Sequence, residues 1–189
     1  SVANDSKLYG EQDPEFADAT ISEYVGEDLA GVDLSVSRSD AGDDTLGTHE
    51  GVLAIGQTAE ELNAAYTNYS FTVGTGDFTI GENQTGALTV SADNVVKTYD
   101  GNAYGVEATA SLQGATVKYW NDETEAYDLD ESPAYTNWTD GPKTVKFQAT
   151  LYGYKAAEGE ATVTINKKDV TVSVANDSKL YGEQDPEFA

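Results

Sequence analysis

The chain has 189 residues, 39% of them apolar, and sets 34 acidic against 10 basic residues for a net charge of −24. Such a surface repels nucleic acid and anionic lipid heads, whose counterions must be replaced by Lys and Arg, and the lack of both Cys and Met excludes disulfides and the common sulfur oxidations. The 12 tyrosines and their regularly spaced apolar neighbours are more than a disordered acidic tail carries.

The first seventeen residues, SVANDSKLYGEQDPEFA, return unchanged at 173–189, so one full repeat and the opening of the next are present. Copying of this kind lengthens a protein or multiplies weak sites, and argues against a single active site. In the second copy the alternation of apolar and polar residues starts at Val170. That predicts a first strand beginning there, clipped in residues 1–17, and an orphan at 173–189 that packs on the second domain or on a neighbouring molecule.

Further strands are predicted at 16–21, 33–37 and 50–55, separated by Gly and Asp turns such as SDAGDDTLG. TAEELNAAY at 58–66 breaks this rhythm: Thr58 with Glu61 forms a capping box before good helix formers, which predicts one short helix. YSFTVGTGDFTI then predicts a hairpin of 69–73 with 77–80. GENQTG at 81–86 marks a boundary, and alternation resumes at 87–92, 107–112, 116–120, 144–151 and 160–165. Two short apolar faces of this kind bury each other best as a sandwich of antiparallel sheets.

The run Val2 to Pro14, Gly47-Thr48-His49-Glu50-Gly51, Asn68-Tyr69-Ser70-Phe71 and Phe78-Thr79-Ile80 resembles the MBG domain of the YGX type, with His49 where that pattern has Tyr. The second half, through Lys97-Thr98-Tyr99-Asp100-Gly101, Tyr152-Gly153-Tyr154 and Ala161-Thr162-Val163-Thr164-Ile165, is similar to YDG and bacterial immunoglobulin-like repeats. With the strand pattern, this gives a mainly β fold of two small antiparallel-sheet domains in tandem. Residues 1–81 form an MBG-like domain, β-grasp-like or a sandwich, with one short helix. Residues 82–168 form an immunoglobulin-like sandwich, and 169–189 open the next repeat. The resemblance implies a repeat of a bacterial surface adhesin or stalk, extracellular and secreted or wall-attached. Its partners would be neighbouring repeats and mucin or host glycans, with no nucleic acid and no membrane insertion; a carbohydrate-binding module is the competing class.

No catalytic grouping accompanies this. His49 is the only histidine, no Cys exists, and no Ser, His and acid grouping or phosphate loop appears, so no enzyme is expected. No organic cofactor is implied. Calcium is the one cation suggested, by Asp40, Asp43 and Asp44 in one acidic loop and by Asp128, Asp130 and Glu131 in another, since hard cations want several carboxylate oxygens; solvated acidic turns explain the same residues. Trp120 and Trp138 are candidates for stacking on sugar rings, with core packing as the alternative. Lys97, Asn166 and the helper carboxyl Glu107 are the candidate set for an intramolecular isopeptide bond, which needs all three buried.

Overall fold

A computed structural model describes residues 1–139 and 141–187, so Phe188 and Ala189 at the end of the second copy lie outside the described residues. The fold is mainly β, two β-sheet domains in tandem with one short helix in the first. In the first, β1 (Asp5–Leu8), β2 (Val36–Arg38), β3 (Gly47–Ile55) and β4 (Gly76–Gly81) form a sheet in the order β1-β4-β3-β2. Period-two alternation builds its inner face: Gly76, Phe78 and Ile80 of β4 are buried, and Phe78 and Ile80 pack with Leu53 against Val2, Tyr9 and Phe16. Gly76 is required there, because a Cβ would lie 2.4 Å from the Ala3 carbonyl.

The helix α1 (Ala59–Ala65) forms where predicted. Thr58 accepts from the Glu61 amide while the Glu61 carboxylate accepts from the Thr58 amide, the reciprocal capping box. Its buried Leu62 packs with Leu29 and Val32 in a second small cluster, a burial that contributes ~1.5–3 kcal/mol.

The predicted hairpin of 69–73 with 77–80 does not form. The Phe71 amide is taken by Asn63 Oδ1 at 2.6 Å and the Tyr69 amide by the Tyr66 carbonyl at 3.0 Å. β4 therefore pairs antiparallel with β3 instead, with a register shift between His49 and Leu53 around Gly51 at φ 68°. The predicted strand at 16–21 divides its bonds between two partners, Ala19 to Leu34 and Thr20 to Ser1, and so never becomes a ladder.

In the second domain β6 (Val95–Thr98), β8 (Thr116–Asn121), β9 (Ala126–Leu129), β10 (Lys143–Leu151) and β11 (Tyr154–Asn166) form a sheet in the order β6-β11-β10-β8-β9. The sandwich is lopsided. Its opposite layer holds only the pair β5 (Val90–Ser91) with β7 (Thr109–Ala110), closed by irregular chain around a Tyr104–Tyr135 bridge. Val145, Phe147, Ala161, Val163 and Ile165 fill the space between. Each main sheet carries one parallel pair at its edge, β1 with β4 and β6 with β11, joining a domain's early strand to its last.

The first strand starts at Asp5, not earlier, because residues 5–8 are the ones that meet Phe78–Gly81 in register. The second copy differs from expectation more sharply: it does not pack on the second domain. Apart from Pro186, residues 166–187 are exposed, Val172 at 91% and Tyr181 at 107%, and no strand forms near Val170. Without a partner strand the alternating sequence has no edge to pair with.

Candidate functional site

The chain's only arginine organises the first domain's charges. Arg38 ends β2 with its side chain 1% exposed, its guanidinium 4.6 Å above the ring of Phe78. Its Nε donates to Asp40 Oδ1 at 2.7 Å, Nη1 to both oxygens of Asp13 at 3.0 and 3.2 Å, and Nη2 to the Asp43 carbonyl. Lys7 of β1, its side chain 6% exposed, reaches Asp13 at 2.8 Å and Asp44 at 2.6 Å. β1, the turn after it, β2 and the 39–46 loop are thus pinned by one ionic network. Burial pushes Asp13 up, but hydrogen bonds and charge from Lys7 and Arg38 outweigh it and hold the carboxyl below its ordinary value. The bond from Arg38 does the same for Asp40.

His49 of β3 faces acceptors on both nitrogens, Asp40 Oδ2 at 2.5 Å from Nδ1 and the Thr45 carbonyl at 2.9 Å from Nε2. Only the imidazolium can donate to both. The Thr45 carbonyl first, and Asp40 with it, raise the His49 pKa above its ordinary 6.5. Ligand atoms of Asp40, Asp43 and His49 lie within 4.8 Å of one another, a set that can hold a metal ion. Two carboxylates suit calcium, while the imidazole suits zinc. Asp44, the third residue of the predicted set, turns instead to Lys7.

The sign of the pH effect follows. A raised histidine contributes its stability below pH 6.5 and loses it as pH climbs through the raised value; Asp13 and Asp40, lowered, contribute above 3.8 and lose it as pH falls through their depressed values. The first domain is therefore expected to gain most from this network between pH 3.8 and 6.5. The single histidine makes the NMR titration unambiguous: its midpoint should exceed 6.5, and zinc bound at this set should pull the midpoint down by displacing the proton. A midpoint at or below the ordinary value would contradict the geometry.

The other predicted residues are dispersed. Trp120 lies on β8, edge to face with Tyr127 at 5.1 Å, its Nε1 donating to Asp122 at 3.0 Å and Lys146 Nζ 5.8 Å from its ring. Trp138 is 49% exposed near the end of β11, under Lys167 Nζ at 4.3 Å. In the second acidic loop, Asp128 accepts from Thr124 at 2.8 Å and Asp130 from Lys118 at 2.5 Å. Lys97 and Asn166 sit on the paired strands β6 and β11, where Lys97 is opposite Ile165 and Asn166 opposite Thr98. Lys97, Asn166 and Glu107 are all exposed, and the Lys97 ammonium lies 5.3 Å from the Tyr104 ring.

A second constellation joins the two domains. Asn83, 7% exposed, donates from Nδ2 to the Tyr9 carbonyl at 3.0 Å and from its amide to the Gly153 carbonyl at 2.8 Å, while its own carbonyl accepts from Lys155 at 3.1 Å. Tyr9 meets Tyr152 and Tyr154 edge to face at 5.4 and 5.5 Å, and the Tyr152 hydroxyl accepts from the Leu46 amide at 3.0 Å. Gly153 admits this packing, since a Cβ would lie 2.2 Å from the Tyr9 ring. Composition pointed to neither center, although a lone arginine in an acidic domain is a signal of the first. The repeated Leu-Tyr-Gly and the Tyr-Gly-Tyr at 152–154 are signals of the second.

No helix among the described residues is long and apolar enough to cross a membrane. No curated protein matches the chain. Among solved structures, the chain is similar to the solution structure of the PKD domain from human KIAA0319, at 20% identity over 50% of this chain and 92% of that one, with a TM-score of 0.34. The family model of the MBG domain (YGX type) matches residues 1–79, the span that holds the whole first sheet but for its last two residues, together with the helix and the Arg38 network. Modules of that kind are typically structural and not catalytic, and the first domain of this chain is an MBG-type domain.

Proposed function

We propose that this chain is a structural repeat of a bacterial cell-surface adhesin or stalk, secreted or wall-attached, that carries a binding region away from the surface and adds weak multivalent contacts to mucus or host glycans. Its units would be residues 1–81, 82–168 and the opening of the next repeat at 169–189. The observation that carries the reading is the junction at Asn83. Two hydrogen bonds, from Asn83 to the Tyr9 carbonyl and from the Leu46 amide to the Tyr152 hydroxyl, and two aromatic contacts of Tyr9 tie the domains into one stiff link, as a spacer under load requires. Copying multiplies such links, and avidity then replaces single-site strength.

Small-angle scattering tests it. The wild-type chain should give a narrow two-domain distance distribution, and Gly153→Ala, which drives a Cβ into Tyr9 at a φ of 80°, should broaden it. A wild-type profile as broad as the variant's would remove the stiff link. The exposure of Trp138 at 49% favours the alternative of a sugar site in each repeat. Saturable binding of this single unit to immobilised mucin glycans, lost in Trp138→Ala, would support that alternative over the spacer.

A further inference from the structure

We propose that both domains are built to bear tension along the chain: in each, an early strand and the last strand form a parallel pair that a pull on the two ends loads in shear. In the first domain β1 runs beside β4 from Asp5 opposite Phe78 to Leu8 opposite Gly81, and Tyr9 extends the ladder by donating to the Gly81 carbonyl at 2.8 Å. In the second, β6 runs beside β11 from Val95 opposite Val163 to Thr98 opposite Asn166, with Tyr99 donating to the Asn166 carbonyl at 2.9 Å. Asn83 bridges Tyr154 in the same parallel sense at the start of β11, donating to the Gly153 carbonyl at 2.8 Å and accepting from Lys155 at 3.1 Å. The segment from Asn83 to Thr98 thus grips β11 at both of its ends. The proposal rests on the reading of the chain as a spacer under load, and adds to it what carries the load.

Direction decides how such a pair fails. When force enters one parallel strand at its N-terminal end and leaves the other at its C-terminal end, the strands are drawn past each other, and their evenly spaced bonds stretch together and share the load. In an antiparallel pair those two ends lie side by side, and the bonds open one at a time. β1 and β6 are edge strands, each laddered on one side only, so they would be easy to peel and hold because they are sheared. Side chains resist the sliding as well. Phe78 and Ile80 of β4 and Val163 and Ile165 of β11 are buried, with Val2 and Tyr9 packed on the first pair and Val95 on the second, and a slip of one residue would turn each side chain to the wrong face. Outside the ladder, Lys7 anchors β1 to Asp13 and Asp44 at 2.8 and 2.6 Å.

Pulling single molecules in two directions tests this. Held by tags at its two ends, the chain should unfold in two events, each releasing ~250 Å of chain. The chain has no cysteine, so handles can also be attached at chosen pairs of exposed positions. Q12C/Q84C places them just after β1 and just after β4, at one end of that ladder, and A103C/K168C places them after β6 and after β11. Each such pull peels the pair that the end-to-end pull shears, in the same molecule and at the same stability. At one loading rate, both end-to-end events should need at least about twice the force of the peeling event, since forced unfolding is set by the barrier to rupture and not by the equilibrium. Equal forces in the two directions, or a lower force end to end, would overturn the proposal. Equal forces beside a narrow scattering profile would remove the load-bearing role and leave the spacer, whereas a broad profile beside direction-dependent forces would remove the stiff link and leave the shear pairs.

Discussion

Arg38→Ala destabilises the first domain by ~3–5 kcal/mol, the cost of removing one partner from a buried ion pair. The value should fall at the lower end, because Asp13 and Asp40 keep 26% and 25% of their side-chain surfaces in water and can rehydrate in part. Loss of the guanidinium leaves those two carboxylates, with Asp43 and Asp44 beside them, balanced only by Lys7 and His49, and strips the cation from the face of Phe78. Arg38→Lys keeps the charge but cannot serve Asp40, Asp13 and the Asp43 carbonyl together, so it should fall between wild type and Ala. Urea unfolding followed on the His49 resonance checks this, since His49 belongs to the same network. A transition that does not move in Arg38→Ala would mean that the network contributes nothing net.

Phe147→Ala should cost the second domain ~3–5 kcal/mol, the range for truncating a large buried aromatic. Phe147 is fully buried on β10, near the middle of the five-stranded sheet, edge to face with Tyr119 at 6.2 Å. Its ring fills the space over Gly159, where a Cβ would come within 2.5 Å of it. The thin opposite layer, β5 and β7, gives the core little that could collapse into the hole. Both tryptophans lie in this half of the chain, so tryptophan fluorescence in urea isolates its unfolding. The fluorescence midpoint should drop while the His49 resonance keeps its own. A loss near the ~1 kcal/mol of an average substitution would show that the layer does close over the cavity.

Alternation made β10 and the latter part of β11 legible in the sequence, because each side chain's face follows from a two-residue period wherever one face is buried. The helix was legible because Thr58 and Glu61 satisfy each other within a single turn. β9 was not: Ala126–Leu129 is short and lies at a sheet edge, where burial imposes a weaker pattern. The parallel pairings were hidden for another reason, since they join residues some seventy positions apart and no local signal reports them. A shorter separation, 25 positions between Asp13 and Arg38, was enough to hide the Arg38 network. Asp40, Asp43 and Asp44 read as one acidic loop suited to a cation, and the structure brings Arg38 and Lys7 to two of them from separate strands.

The clamp at Asn83 makes the joint between the two domains of a repeat a splint. Asn83 is buried between the Tyr9 carbonyl and the Gly153–Lys155 backbone, so a bend at this joint must break bonds on both sides of it. The statistical segment of an array is therefore no shorter than one two-domain unit. Its mean reach would grow with the square root of the copy number while its contour grows in proportion. Each added copy enlarges the volume a tip can search and dilutes the tip within it in inverse proportion, so the length of the splinted unit sets the step of that search.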